Sequence, residues 1–498
     1  MNITLFIIFL FLLIAFYFGI RARKGKNMNM EQWTVGGRGF GTLLVFLLVA
    51  GEIYTTFTFL GGSGWAYSRG APSYYVLSYI ALAYVLSYWL LPPIWRYAKK
   101  HGLISQSDFF VSKYQSPYLG ILVSIVGVLA IIPYLVLQFK GLGIIVSESS
   151  YGSISPTAAA WIGMLAVTIY VMVSGIHGSA WTAVIKDIMI FVVVVFLGLY
   201  LPFYYYGGIQ PMFEAVNEAK PGFLTFPEEG FSISWYISTV LLTVLGFYMW
   251  PHTFGSVLSA KNENVFRKNA VLLPLYTLML LFVFFVGFTA ILQVPGLEGA
   301  DGDLSLLRLS IKTFDPWMVG IIGAAGLLTA LVPGSMLLMT AATLLAKNVI
   351  KVFRPSYTDQ QVAKIAKGLV PILALISLYY TVKGGDALVT LLLMGYSLVT
   401  QLFPALFFSL LPRPIVNKYG VFAGITCGVL TIAYMTVFKV SVGTLFPNMP
   451  SAIKDLNVGV IALLVNVTIM LVVSVMVRSF LASKQQDLTA QKSGSHFG

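Results

Sequence analysis

Long runs of apolar residues follow one another along the chain and are separated by short polar connections. Nearly every run has about 18 residues or more, enough for a helix to cross the ~30 Å hydrocarbon core of a bilayer. The pattern predicts thirteen transmembrane helices, here called predicted spans 1 to 13, at residues 3–20, 41–66, 73–95, 119–147, 155–174, 180–206, 232–252, 270–293, 316–345, 367–382, 386–411, 420–438 and 457–480. Span 10 is short and ends at Lys383–Gly385, so spans 10 and 11 also allow a different division. The expected fold class is an all-α polytopic membrane protein.

Helix-breaking residues interrupt two of these spans. Span 2 contains Ala50–Gly51 and Gly61–Gly64, and span 7 contains Gly246 and Trp250–Pro251. The interrupted spans are five apart, and an odd offset reverses orientation, so spans 2–6 and 7–11 predict two inverted repeats that each begin with a discontinuous helix. This is the LeuT-type 5+5 layout, in which unwound backbone offers carbonyl groups to a cation and helix N-termini to an anion. Glycines that merely permit close helix packing are the alternative interpretation.

No Pro/Ser-rich linker or long soluble insertion divides the chain, which predicts one membrane domain over 1–498. We expect an extra N-terminal helix and cytoplasmic loop, a first repeat, a second repeat, and two C-terminal helices with a cytoplasmic tail, at 1–40, 41–206, 232–411 and 412–498. Residues 1–20 lack a basic n-region and are followed by basic residues, so a cleaved signal peptide is not expected.

Composition agrees with lipid as the main solvent. Of the residues, 58% are hydrophobic and 10% are charged, and the mean hydropathy is +0.86, which the surface of a water-soluble domain of this size does not tolerate. The single cysteine, Cys427, excludes intrachain disulfides and a thiolate zinc site. Redox chemistry is therefore not expected.

The net charge of +13 raises the question of a nucleic-acid partner, but most basic residues lie at the ends of predicted spans. They occupy alternate connections, at Arg21, Arg23, Lys24, Lys26, Arg38, Arg96, Lys99, Lys100, Lys113, Lys261, Arg267, Lys268, Lys347, Lys351, Arg354, Lys364, Lys367, Arg413, Lys418, Arg478, Lys484 and Lys492. Because cytoplasmic connections retain positive charge, this distribution predicts an outside N-terminus and an inside C-terminus. The expected partner of the charge is the lipid bilayer, not nucleic acid.

Other functional classes have weaker support. The chain has no G-x-x-x-x-G-K-[ST] phosphate loop for a primary pump. Its four histidines, His101, His177, His252 and His496, lie at helix ends or in the tail without an H-E-x-x-H pair, so an enzyme is not expected. A channel remains the alternative, although no pore-loop filter motif is present.

Five short motifs carry a resemblance to a known family. They are Gly36–Arg38 before span 2, Gly61–Trp65 in span 2, Ser107–Phe110 after span 3, Trp181–Thr182 in span 6 and Pro251–His252 in span 7. In order and spacing they resemble the sodium:solute symporter family over nearly the whole chain, and residues 50–58 resemble the branch with bacterial monocarboxylate permeases. The resemblance implies a secondary symporter of the bacterial cytoplasmic membrane, with no cofactor other than a coupling sodium ion.

The residues that would hold sodium depart from the family pattern. The resemblance implies carbonyl ligands near Gly51 and Tyr54 and two adjacent hydroxyls in span 9. The span 9 pattern A-x-x-S-[ST] falls on residues 329–333, where Val332 and Pro333 replace the hydroxyls. A hard cation such as sodium requires oxygen ligands, so only Thr329 or Ser335 can compensate there.

A lysine and an aspartate appear instead in span 6. The family often has Trp-[Ser/Thr]-Asp at this place, whereas this chain reads Trp181-Thr182-Ala183, and Lys186 and Asp187 follow on the same helical face as position 183. An ionisable pair within a span is a functional candidate. We therefore hypothesise that Lys186 takes the place of the cation and that coupling is to protons or absent. The alternative is that Lys186 extends to cytoplasmic water and pairs with Asp187 for structural reasons.

Glu52 is the other acid within a span, one residue after the break glycine. A charge at the bilayer centre costs about 2.5–3.5 kcal/mol, so it requires a partner or a cavity. Glu52 could bind a substrate ammonium or hydroxyl, carry a proton, or form a structural pair with Lys140 or Lys186.

The substrate is expected between the broken helices and spans 4 and 11. The candidate side chains there combine aromatic rings with a few hydrogen-bonding groups, at Glu52, Thr55, Thr58, Tyr134, Gln138, Phe247, Trp250, Tyr396 and Gln401. Such a lining suits a small polar solute, and a short monocarboxylate is one candidate by resemblance. Most Tyr and Trp side chains of a membrane protein belong to interfacial belts, which is the alternative for each aromatic residue. The sequence predicts no oligomeric state.

Overall fold

The computed structural model describes residues 3–23 and 30–494 and is helical in its regular secondary structure over those residues. The longer helices are α1 (Ile3–Arg23), α2 (Thr42–Gly51), α3 (Gly62–Arg69), α4 (Tyr75–Lys100), α5 (Gln106–Tyr114), α6 (Pro117–Ser149), α7 (Pro156–Tyr206), α8 (Ile209–Ala219), α9 (Ile233–Gly246), α10 (Pro251–Leu258), α11 (Asn264–Thr277), α12 (Leu280–Gln293), α13 (Ser305–Thr313), α14 (Pro316–Thr343), α15 (Asp359–Lys383), α16 (Leu388–Val399), α17 (Phe403–Leu410), α18 (Lys418–Val437) and α19 (Val458–Gly494). Short helical segments are Met30–Val35, Gly36–Arg38, Phe57–Gly61, Ala71–Tyr74, Phe247–Met249, Gly299–Leu304, Leu344–Ile350, Lys351–Phe353, Thr400–Leu402, Val442–Leu445 and Ser451–Lys454. Lys24, Lys26 and His496 lie outside the described residues.

The expectation of an all-α polytopic membrane protein is confirmed. Within the described residues, 10 helices are long and apolar enough to cross a membrane, or 11 if one bent helix pair is counted as a span. The thirteen predicted spans exceed the count of 11 because the structure differs from the prediction at two places. Predicted spans 5 and 6 are joined in α7, which has 51 residues and a kink at Gly175 with φ 58°. Predicted span 2 is divided into the shorter helices α2 and α3.

Several predicted boundaries are corrected by helix caps. The tenth span begins at Asp359 rather than at 367, because Thr358 and Gln361 form a capping box that starts α15. The connection after span 3 contains the unpredicted helix α5, which a second capping box of Ser105 and Asp108 starts. These caps satisfy the first N–H groups of each helix.

The first break occurs at the predicted glycine. Helix α2 ends at Gly51, and residues 52–55 form turns before helical structure resumes at Thr56. The expected second interruption at Gly61–Gly64 is wrong, because the chain is helical through this segment. These glycines instead permit close packing: a Cβ on Gly64 would lie 2.9 Å from the backbone of Asp303.

The second break is confirmed in span 7. Helix α9 ends at Gly246, Trp250 adopts an extended conformation with ψ 127°, and Pro251 starts α10. The two halves meet at an angle of 52°. Proline fits the first helical position because its missing N–H would have no partner there, so Pro251 both ends one helical path and begins the next.

Burial separates a central helix from peripheral ones. In α14, 94% of the most apolar window is buried, compared with 22% in α1 and in α19. Large apolar side chains on the outer helices, such as Ile372 and Val475, are exposed in the way that a lipid-facing surface requires. The broken helices therefore lie within a tightly packed interior.

Candidate functional site

The two breaks contact each other through Glu52. Glu52 is the first residue after α2 and is 7% exposed. Ser256 on α10 donates a hydrogen bond of 2.6 Å to its Oε1 atom, and the hydroxyl of Tyr134 on α6 donates one of 3.2 Å to its carbonyl oxygen. The side chain and backbone of one residue thus connect three helices at the centre of the protein.

A narrow cavity lies at this junction. Its volume is about 10 Å³, room for about one water molecule, and it is lined by Glu52, Ile53, Phe57, Tyr79, Tyr134, Phe247, Trp250, His252, Thr253, Leu392 and Tyr396. Its aromatic rings form a connected group, with centroid distances of 5.1 Å between Tyr134 and Trp250 and 5.3 Å between Trp250 and Tyr396. A largely aromatic lining with a few polar atoms is typical of a ligand site, although this cavity is narrower than a bound solute requires.

Five of the predicted substrate residues line this cavity, namely Glu52, Tyr134, Phe247, Trp250 and Tyr396. The sequence reasoning missed His252, Thr253 and Ser256, which follow the second break on α10. Their spacing could have identified them from the sequence. Thr253 and Ser256 are three residues apart and His252 and Ser256 are four apart, which places all three on one face of a helix. Polar residues at this spacing directly after a Trp-Pro break indicate a face turned toward the break.

Two polar atoms of the cavity residues have no hydrogen-bond partner among the described residues. They are Oε2 of Glu52 and Nδ1 of His252. The imidazole of His252 is steeply inclined to the rings of Tyr134 and Trp250, with centroid distances of 5.7 Å to each. Because buried polar atoms in proteins are generally paired, these two atoms indicate where a ligand could bind.

Thr55, Thr58 and Gln138 have local structural partners. Thr58 Oγ1 donates to the carbonyl of Ile53 at 2.6 Å and accepts from the N–H of Thr55 at 3.1 Å. Gln138 accepts a hydrogen bond of 2.7 Å from Thr56. These bonds stabilise the turns of the first break, and the structure does not bring the three side chains into the cavity lining.

Gln401 also lies outside the cavity lining. Its amide nitrogen donates to the carbonyls of Ser397 and Gly459, at 3.1 Å and 3.3 Å, and its side-chain oxygen accepts from Asn466 at 3.1 Å. The helical offset of five residues from Tyr396 turns Gln401 away from the ring that Tyr396 presents to the cavity. Gln401 therefore connects the α16–α17 junction to α19.

Lys186 lies at the first break. Its ammonium donates to the carbonyl oxygens of Gly51 and Tyr54, at 2.8 Å and 3.2 Å, and lies 3.1 Å from Oδ1 of Asp187. The side chain is 0% exposed, so the alternative in which Lys186 extends to water is wrong. A Cβ on Gly51 would lie 3.0 Å from the ammonium, which explains why this position requires a small residue.

The hydroxyls expected to compensate for Val332 and Pro333 donate their hydrogens to carbonyls of their own helix. Thr329 donates to the carbonyl of Gly326 at 2.6 Å, and Ser335 donates to that of Val332 at 2.7 Å. Val332 and Pro333 are buried within α14 and offer no side-chain oxygen. With the Lys186 ammonium on the carbonyls of the break, the residues present do not fit a sodium ion at this place.

Lys140, considered above as a partner of Glu52, is bound elsewhere. Its ammonium donates to the carbonyl of Asp386 at 2.6 Å and lies 3.9 Å from Oδ2 of Asp303. Asp303, in the connection before α13, also accepts a bond of 3.0 Å from the N–H of Leu388. Burial raises the pKa of Asp303 to about 6, since the nearby ammonium and the N–H compensate only in part.

A second polar network lies at α5. Asp108 binds the ammonium of Lys347 at 2.5 Å and the amide of Asn348 at 2.8 Å. Burial favours a raised pKa for Asp108, but the attraction of the Lys347 ammonium and the hydrogen bonds outweigh it and hold that pKa below its ordinary value. On the same helix, Gln106 donates a 2.8 Å bond to the carbonyl of Met249. Helix α5 thus connects the end of α14 to the second break.

Comparisons with known proteins agree with this architecture. Residues 33–428 match the model of a family described as the sodium:solute symporter family. The chain is 68% identical over 478 residues to "Uncharacterized symporter YhjB" of Bacillus subtilis, which covers 96% of this chain and 98% of that protein. It is 29% identical over 412 residues to a "Monocarboxylate transport permease protein" of Rhizobium johnstonii, covering 81% and 82% of the two chains.

A solved structure shares the fold. A Na⁺-coupled sialic acid symporter in a substrate-bound outward-open state superposes with a TM-score of 0.78, covering 96% of this chain and 98% of the other. The two sequences are 16% identical, so the similarity concerns the arrangement of the helices and not the chemistry of the site.

Proposed function

The chain belongs to the sodium:solute symporter family, and from this premise we propose that it carries a small polar solute by alternating access, with the Lys186 ammonium in place of the coupling cation. It is an integral protein of the bacterial plasma membrane and a transporter, not an enzyme. The solute would occupy the cavity beside Glu52. The movement would consist of changes at the two breaks, which border that cavity.

The observation that carries this proposal is the position of the Lys186 ammonium on the carbonyls of Gly51 and Tyr54. A helix break releases carbonyl oxygens that need a positive partner. The Lys186 side chain supplies that positive charge as part of the protein. The carbonyl oxygens of the break are therefore stabilised without a bound ion from solution. The absence of side-chain oxygens at Val332 and Pro333 supports the same interpretation.

Lys186 and Asp187 provide a place where a proton could bind and leave. The pair is buried, and neither carboxylate oxygen of Asp187 accepts a hydrogen bond of good geometry among the described residues. Loss of a proton from Lys186 would weaken its attraction to Asp187 and to the two carbonyl dipoles. Protonation would thereby bias the conformation of the first break and couple it to solute movement. If the lysine keeps its proton throughout the cycle, the same site would serve a uniporter.

The proposed layout has thirteen spans and two inverted repeats. At ~1.5 Å per residue, α7 would be roughly 75 Å long if straight, more than twice a hydrocarbon core, which favours two spans separated at Gly175. Counting α2 with α3 as one broken span and α9 with α10 as another gives thirteen. The repeats would occupy 41–206 and 232–411, flanked by 1–40 and 412–498, with the N-terminus outside and the C-terminus inside as the basic residues suggest.

For the solute, the lining of the cavity, aromatic rings with a few polar groups, supports a small polar molecule, and the cavity would widen at the two breaks to admit it. The Rhizobium relative, a monocarboxylate transport permease protein, supports a short monocarboxylate as one candidate. Sodium coupling, which the family name suggests, is the competing hypothesis for the driving ion.

Transport by the purified protein in proteoliposomes tests this proposal. We expect saturable uptake with counterflow, no accumulation driven by a sodium gradient alone, and accumulation when an inward proton gradient is imposed. If the uptake rate without any ion gradient equals the rate with a proton gradient, the protein works as a uniporter. Strong accumulation on a sodium gradient at constant pH would contradict the role given to Lys186, and a non-saturating conductance would indicate a channel.

A further inference from the structure

The charges around the first break do not balance within the protein. Lys186 and Asp187 form an ion pair, whereas Glu52 has no ion-pair partner among the described residues. The Lys186 ammonium is occupied by two carbonyls and by Asp187. With both carboxyl groups ionised, the described residues of this buried region hold two negative charges and one positive charge.

The oxygen that lacks a partner belongs to a residue of the cavity lining. Oε1 of Glu52 accepts from Ser256 at 2.6 Å, whereas Oε2 accepts no hydrogen bond of good geometry from the described residues. A buried acceptor without a donor is unfavourable, and more so when it is ionised. A ligand that donates a hydrogen bond from a charged group would remove both the unpaired atom and the missing charge.

The rest of the lining favours a positive group. Among the described residues, the lining contains no Lys or Arg, and four of its side chains are the electron-rich rings of Tyr79, Tyr134, Trp250 and Tyr396. A cation close to such ring faces is attracted by their quadrupoles, most strongly by Trp. A carboxylate in the same space would meet Glu52 as a like charge.

We propose that the transported solute carries a protonated amine, which binds Oε2 of Glu52 and the surrounding aromatic rings in the cavity between the two helix breaks. This inference rests on the proposed transport function and assigns the charge of its substrate. A bare amine would use Glu52 and the rings alone. A zwitterion would in addition place its carboxylate at the start of α10, where His252 and Thr253 line the cavity and the helix dipole favours negative charge.

A set of three-carbon probes of different charge tests the proposal. Propylamine, L-alanine, propionate and 1-propanol have similar sizes and differ in charge. Binding is measured on the purified full-length protein by calorimetry and by the shift in apparent Tm, in choline chloride buffer and again with sodium chloride. We expect propylamine, L-alanine or both to bind and raise Tm, and propionate and 1-propanol to leave it unchanged. Binding of propylamine and alanine would indicate an amine site alone, and binding of alanine only would indicate a zwitterion site.

The variant Glu52→Gln keeps the shape of the side chain and removes its charge. We expect it to weaken amine binding by about 30-fold or more, as for the loss of one partner of a buried charge pair. Glu298→Gln, in the exposed connection before α13, is the matched control and should bind like the wild type. Should Glu52→Gln fold poorly, Glu52→Asp keeps the charge on a shorter side chain and should bind amines more weakly with the same charge selectivity.

Three outcomes would overturn the proposal. One is binding of propionate, but of neither amine, to the wild type and to Glu52→Gln alike. Another is a Tm increase with sodium chloride alone that Glu52→Gln abolishes, because Glu52 would then hold an inorganic cation. The third is loss of charge selectivity in Glu52→Asp. Counterflow separates this proposal from the transport proposal. Counterflow of propionate, but of neither amine, would contradict the amine site and leave the carrier function intact. Binding of an amine that depends on Glu52, with no counterflow of any of the four probes, would contradict the carrier function and leave the amine site intact.

Discussion

The hydroxyl of Ser256 donates a 2.6 Å hydrogen bond to Oε1 of Glu52, so the two interrupted helices are joined directly beside their breaks. Ser256 lies five residues after Pro251, and Glu52 lies one residue after Gly51. A change in the geometry of either break must therefore stretch or rotate this bond. The cavity proposed for the solute lies at the same junction, so its occupancy would be connected to the conformation of both helices.

Replacing Ser256 with Ala should destabilise this junction. The substitution leaves Oε1 of Glu52 buried without its donor, and we expect a loss of about 1–3 kcal/mol in the free energy of unfolding, seen as a lower apparent Tm in detergent. Ser259→Ala is the control, since the hydroxyl of Ser259, directly after α10, donates to the backbone carbonyl of Ser256 and not to Glu52. Equal stability of Ser256→Ala and the wild type would show that the bond contributes nothing.

Replacing Lys186 with Ala should create a response to sodium. Removing the ammonium leaves Asp187 as an unpaired buried carboxylate beside the carbonyls of Gly51 and Tyr54, and loss of one partner of a buried pair is worth about 3–5 kcal/mol. The vacated oxygens suit a hard cation. We therefore expect a lower apparent Tm that sodium chloride partly restores, whereas the wild type and the control Lys383→Ala respond alike to sodium and potassium. A wild type stabilised specifically by sodium would contradict the assignment.

Asp108→Asn should make stability less dependent on pH in the acid range. The pKa of Asp108 is below its unfolded value of 3.8, so its stabilising contribution is present above that value and is lost as the pH falls through the lower folded pKa. We expect the variant to be about 1–3 kcal/mol less stable near neutral pH, with a difference that shrinks below pH ~4.

A more exposed ion pair, four residues further along the chain at its lysine, provides the control for that experiment. Lys351 binds Asp359 at 2.7 Å, but the side chain of Asp359 is 79% exposed, compared with 15% for Asp108. An exposed pair is worth roughly 0–1 kcal/mol, so Asp359→Asn should change unfolding little. Equal losses in the two variants, or a loss for Asp108→Asn that does not vary with pH, would contradict the stabilising role of the Asp108 network.

Asp303→Asn should show a pH dependence of the opposite sign. The pKa of Asp303 is raised from 3.8 to about 6, so the folded protein binds this proton more tightly than the unfolded chain does. Its contribution to stability therefore increases as the pH falls from about 6 towards 4 and is smallest above 6. Relative to Asp303→Asn, the wild type should gain stability on the order of 1–3 kcal/mol across this window. Thermal unfolding at several pH values measures the difference, and a wild type that loses stability relative to the variant would refute the raised pKa.

Part of the site could be read from single residues of the sequence. Trp250 and Pro251 predicted the second break, and Phe247 and Trp250 were expected beside the solute, because a proline in an apolar run has the same local effect in any fold. The error at Gly61–Gly64 has a related cause. Glycine permits a break but does not require one, and Gly64 is used for close approach to Asp303 instead.

The sequence by itself determined the lipid environment, the helical class and the position of the second break, since these depend on hydrophobicity and backbone chemistry within about 20 residues. Only the tertiary structure decided which groups meet. Lys186 reaches Gly51 across 135 positions of the chain and Ser256 reaches Glu52 across 204. Such contacts depend on how whole helices pack and rotate against one another, and a local pattern does not contain that information. Tyr396 and Gln401 are close in sequence, but only Tyr396 lines the cavity. Helix packing places Gln401 against Asn466 instead.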